Sequence, residues 1–138
     1  MVYSLHILFA GVWIGCVLTE TVFEKSLVSE QFKERSRLAR LHLWVDTTIE
    51  IPALIGTAIT GALFVRSVPL DLLLSIKLVS ASLTLIANLL CFVFVVARDR
   101  AAVVASWGRF EQHDHRQHQF GKVVFIGVLL TALLGLIH

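Results

Sequence analysis

Glu20, His42, Asp46 and Glu50 are acidic and imidazole side chains set within stretches that are otherwise apolar enough to cross a membrane. A charged group near the bilayer centre costs at least ~2.5–3.5 kcal/mol on insertion scales, so four such residues need partners and must face inward. Carboxylate oxygens and imidazole nitrogens together are the donor set of iron, manganese and zinc sites. His42, Asp46 and Glu50 are spaced by four residues, which carries each only about 40° around a helix from the one before, so they form one stripe. His6, Trp13, Glu20 and Glu24 follow one another by seven, seven and four residues and form a second stripe. Lys77, Thr84 and Asn88 form a third, with Cys91 beside it.

A further group lies near the string HDHRQH, where Glu111, His115 and His118 share a helical face and His113 points elsewhere. These residues sort by depth. Glu20, Glu24, His42, Asp46, Glu50, Glu111, His115 and His118 fall at one end of the spans and are the predicted metal ligands, for one ion or a pair. His6 and Lys77 belong to the opposite end. At 1.5 Å per residue His6 and Glu20 are about 21 Å apart, so they cannot share an ion. His42 and Glu50 are about 12 Å apart along a straight helix, so one ion takes both only if the helix kinks. Two other arrangements compete with metal binding: a buried ion-pair network in which Arg98, Arg100, Arg109 or Arg116 neutralises the acids, and a pathway for protons or ions. No catalytic residue is assigned.

The elements that must position these groups are helices in a bilayer. Of 138 residues 57% are hydrophobic and 16% charged, with a mean hydropathy of +0.80. A soluble domain is roughly half apolar and a quarter charged. Four apolar stretches, about 2–23, 43–65, 69–97 and 120–137, are long enough for a ~30 Å hydrocarbon core. No period-two alternation suggests a barrel, and backbone in lipid must satisfy its own hydrogen bonds. The reading is therefore a single all-α domain, an integral membrane four-helix bundle running up-down-up-down. The first stretch has no basic leader and no small-residue cleavage motif, so it is expected to be retained as a helix.

Basic residues cluster between helices one and two (Lys25, Lys33, Arg35, Arg37, Arg40) and between three and four (Arg98, Arg100, Arg109, Arg116), against Arg66 alone in the middle connection. Positive connections stay in the cytoplasm, which predicts both termini on the outer side and the metal site in the cytoplasmic half, with a bacterial inner membrane as the location. Mixed charges such as Glu30, Lys33 and Glu34 predict helical extensions into the cytoplasm. The net charge of +2 is then an orientation signal and gives no reason to expect nucleic acid. Cys16 and Cys91 lie inside spans, where inert thiols are expected. Pro52, Gly56 and Gly61 interrupt the second span, kinking it or allowing close packing. His138 is terminal and is assigned nothing. The expected partners are the lipid bilayer, a second copy in a homodimer, and a redox partner or small-molecule substrate.

The strings LHILFAGVWIG, which holds His6, Trp13 and Gly15, and SIKLVSASLTLIAN, which holds Lys77 and Asn88, resemble the four-helix membrane families of copper-resistance D type and of HemJ-type protoporphyrinogen oxidase. The resemblance implies haem b bound with the help of His6 and Lys77, and oxidase activity in the HemJ-type case. In the copper-resistance case it implies a copper, ion or proton transport accessory protein. The acidic and histidine-rich half, HLWVDTTIE and HDHRQH, departs from the HemJ-type pattern. A single methionine, Met1, argues against a soft Cu(I) site. The residues favour transition-metal binding, with electron transfer or small-molecule redox chemistry as its use.

Overall fold

The chain is described by a computed structural model covering residues 1–26 and 32–137. Glu30 and His138 lie outside the described residues. Among the described residues there are four helices: α1 (Val2–Ser26), α2 (Phe32–Val65), α3 (Leu72–Val103) and α4 (Trp107–Ile137). Each is long and apolar enough to cross a membrane. They extend beyond the predicted spans at the end carrying the α1–α2 and α3–α4 connections, as the charge pattern predicts. α3 starts at Leu72 instead of residue 69, because Asp71 caps it by accepting from the Leu74 N–H at 2.7 Å. At its other end Ala105 takes a positive φ of 51°, and the Ser106 N–H returns 2.9 Å to the Ala101 carbonyl. This left-handed cap turns the chain sharply into α4.

α3 and α4 form one closely packed pair. α1 packs on the second half of α2, while the first half of α2 lies against α3. Side chains such as Leu83 and Ile126 point outward, more than 60% exposed, as expected where lipid is the solvent. The interior is small and partly polar. Trp13, Val17, Leu54, Val124 and Val128 form one apolar cluster, and Ala39, Ala101 and Phe110 a second near the connections.

Small residues set the helix separations. A Cβ on Gly127 of α4 would overlap the Thr84 side chain of α3, and one on Gly56 would come 2.6 Å from the Phe9 ring. Gly127→Ala is expected to destabilise the α3–α4 pair by about 1–3 kcal/mol, read as a lower temperature midpoint for loss of the monodisperse protein in detergent. Gly15→Ala, where a new Cβ would meet nothing within 4 Å, is the matched control.

α2 is not a regular helix. Asp46–Glu50 form a π-turn in which the Ile51 N–H bonds to the Asp46 carbonyl, five residues back. Pro52 stands just beyond it. Proline has no N–H for the carbonyl four residues back, and its ring crowds that oxygen, so the turn widens by one residue. The predicted interruption at Pro52 is thus a local widening, and it falls on the stripe that carries Asp46 and Glu50.

Candidate metal centre

The stripes of α1 and α2 meet. His42 is buried, and its two ring nitrogens face different groups. Nδ1 lies 2.8 Å from Glu24 Oε1. A carboxylate only accepts, so Nδ1 carries the proton. Arg98 Nη2 and Gln117 Nε2 also approach Nδ1, at the longer separations of 3.2 and 3.3 Å; the Gln117 nitrogen has its shorter bond to Glu24 at 2.8 Å, so the Glu24 contact is the shortest at Nδ1. Nε2 is left with its lone pair toward Glu20 Oε2 at 3.2 Å and Asp46 Oδ1 at 3.4 Å. Ligand atoms around a tetrahedral ion with bonds of ~2.0–2.1 Å stand roughly 3.3 Å apart. Donor atoms of Glu20, His42 and Asp46 all lie within 4.8 Å of one another, so a possible metal-binding group of these three residues exists.

Charge makes the same point. Arg98, 3% exposed, bridges Glu24 at 3.1 Å and Asp114 at 2.7 Å, and Arg35 holds Asp114 from the other side at 2.9 Å. His118 adds a contact to Glu24 at 3.1 Å. The two arginines serve Glu24 and Asp114. Glu20, Asp46 and Glu50 have no arginine or lysine partner among the described ion pairs, and their Oε1, Oδ1 and Oε2 atoms are buried without a hydrogen-bond donor. Clustered carboxylates in a low-dielectric interior are neutralised either by a bound cation or by protons they take up and share.

Glu50 is held from the far side. The Trp13 indole N–H donates to Asn88 Oδ1 at 3.2 Å, and the Asn88 amide donates to Glu50 Oε1 at 2.6 Å. With its oxygen engaged by Trp13, the Asn88 side chain can present only its NH₂ to Glu50. The π-turn lets Glu50 point toward the Glu20 carboxyl group instead of drifting around the helix.

The predicted ligands therefore divide. Glu20, His42 and Asp46 come together, with Glu50 adjacent. Glu24 and His118 belong to the ion-pair network that orients His42. Glu111 is exposed and lies 3.7 Å from Arg35, and His115 is exposed with Gln119 as its partner; neither reaches the cluster. The face of α4 that turns inward is Phe110, Asp114, Gln117, Val124 and Val128. Asp114 and Gln117 are missing from the sequence-based site. Their signal was present, since stepping back from Val128 by four and three residues through the span reaches both. Arg35, grouped with the connection charges, also has a structural part: it stacks 5.2 Å over the Trp107 and Phe110 rings while holding Asp114. Cys16 and Cys91 are free thiols.

At the opposite end, Thr60 gives its hydroxyl proton to the Gly56 carbonyl at 2.6 Å. His6 Nδ1, 3.1 Å from Thr60 Oγ1, is therefore the donor there, which leaves its Nε2 with a lone pair. The His6 ring lies against Gly61, and the Lys77 ammonium lies beside Gly135. Comparison of the chain with protein-family models, with curated proteins and with solved structures gives no match.

Proposed function

We propose that this integral membrane protein binds a divalent transition-metal ion through Glu20, His42 and Asp46, and uses it for redox chemistry on a small molecule or for electron transfer. One observation carries the reading: His42 Nε2 faces two carboxylate oxygens at the separations of a metal's coordination edges. The Glu24 carboxylate behind His42 supports it. A metal-ligating histidine characteristically donates its other N–H to a carboxylate, which fixes the ring and raises its basicity. Glu50, held by Asn88, supplies a further oxygen. Nitrogen and oxygen donors suit iron, manganese or zinc, and iron or manganese would supply the one-electron chemistry.

The positive connections next to this end support a cytoplasmic-side site with both termini outside, in a bacterial inner membrane. Elemental analysis and an optical spectrum of detergent-purified protein test the function. The expected result is close to one iron, manganese or zinc per chain; a metal-free protein that also takes up none of these ions on addition sinks the proposal.

A second reading is haem b at the opposite end, as the resemblance to HemJ-type oxidases implies. The His6 ring, held through Nδ1 at Thr60, favours it, because imidazole is a common haem ligand, and Lys77 would offer a cation to the haem carboxylates. A Soret band lost in His6→Ala and retained in Asp46→Ala is the expected outcome on that reading. A purified protein with metal and no Soret band decides for the carboxylate site.

A further inference from the structure

α1 packs on the second half of α2 and diverges from the first half, which leaves a cleft of about 380 Å³ between them. Its walls include Val12, Phe23, Leu41 and Ile49, and Glu20 and His42 also line it. Gly15 and Thr19 keep the α1 wall low, and a Cβ on Gly15 would meet nothing within 4 Å. The volume falls within the range of small-molecule sites, roughly 300–1,000 Å³.

We propose that this cleft is a lateral port through which a membrane-dissolved lipophile carrying a neutral hydroxyl reaches Glu20 and His42. Walls of valine, leucine, isoleucine and phenylalanine on membrane-spanning helices select an apolar body. A route through hydrocarbon selects against a charged head, which would have to shed its water before any partner replaced it. The groups at the inner end select a donor. Glu20 Oε1 is an acceptor with no donor in the protein, and Glu20 Oε2 faces the His42 lone pair. An alcohol or phenol meets all three conditions, whereas an ether lacks the donor and a carboxylate adds a fourth acid to an already acidic group. The inference names the substrate class of the proposed metal site, but occupancy of the cleft does not require the metal, so the two fail separately.

Cys16 lines the same cleft and is a native reporter, while Cys91 faces the Gln117 carbonyl at 3.7 Å and is replaced by alanine. In lipid nanodiscs containing metal-free Cys91→Ala protein, an N-alkyl maleimide dissolved in the bilayer is expected to modify Cys16. Decanol is expected to slow this several-fold to a plateau, and decyl methyl ether and decanoate to leave it nearly unchanged. Glu20→Ala, which removes the accepting oxygens, should raise the decanol concentration needed by about tenfold, the loss of one hydrogen bond. Gly15→Leu, whose Cβ would meet nothing within 4 Å and whose side chain would project into the cleft, should slow modification with no lipophile present. Failure of the maleimide to reach Cys16, equal slowing by the ether, or an unchanged decanol response in Glu20→Ala would each overturn the proposal.

Discussion

Replacing Asp46 by alanine is expected to empty the metal site. Asp46 is 4% exposed, and its Oδ1 is one of the two carboxylate oxygens in front of His42 Nε2. Its loss leaves only Glu20 and His42 of the three close donors, with Glu50 beside them. Removing even an outer partner of a metal ligand lowers affinity about 10–100-fold, so loss of a direct ligand should take bound metal per chain below detection after dialysis. Glu111→Ala and His115→Ala are the controls. Both residues were expected as ligands from their spacing, yet both are exposed and apart from the cluster. Their metal content should equal that of the unaltered protein. Metal loss in these controls, or retention in Asp46→Ala, would show that the ion is held elsewhere.

The second large effect is on stability. Arg98→Met is expected to cost about 3–5 kcal/mol, the usual penalty for removing one partner of a buried ion pair. Arg98 is buried and is the only described arginine or lysine paired with both Glu24 and Asp114. Without it, both carboxylates remain inside the bundle with too few donors. Arg35 still holds Asp114, but among the described residues Glu24 keeps only Gln117, His42 and His118. The measurement is the thermal midpoint in detergent, followed by size exclusion. The triple variant Arg98→Met/Glu24→Gln/Asp114→Asn should recover most of the loss, because it removes the charges that Arg98 neutralises. A triple variant no more stable than the single one would mean that Arg98 acts through packing alone. In Glu24→Gln the metal affinity should also fall about 10–100-fold, since His42 loses the carboxylate that fixes its tautomer.

Membrane placement, four helices and the general composition of the site were legible in the chain because they depend on local quantities. An apolar run of about 20 residues has one stable arrangement in a bilayer. A stripe at four-residue spacing shares a face whatever packs against it. The stripe of His42, Asp46 and Glu50 on α2 and that of Glu20 and Glu24 on α1 accordingly turned inward together. What the local pattern did not fix was which acids meet which cations. Glu24, Asp46 and Glu50 look equivalent in the sequence, but only Glu24 lies opposite Arg98, because that depends on the depth at which α3 packs against α1 and α2. The face of α4 was misjudged for the same reason. Glu111, His115 and His118 are an internally consistent stripe, and the choice between it and the stripe of Asp114 and Gln117 follows from the register of Val124 and Val128 against α3.

The π-turn was half visible. Pro52 announced an interruption in α2, but a kink, a break and a one-residue widening are close in local energy, and the packing of the flanking segments selects among them. The sequence by itself determined that ionisable groups would be gathered inside a four-helix membrane bundle, since the cost of exposing them to lipid allows little else. Only the tertiary structure decided that Glu20, His42 and Asp46 surround a common point while Glu24 stands behind the imidazole, because separations of about 3 Å are set by how four helices slide and rotate against one another.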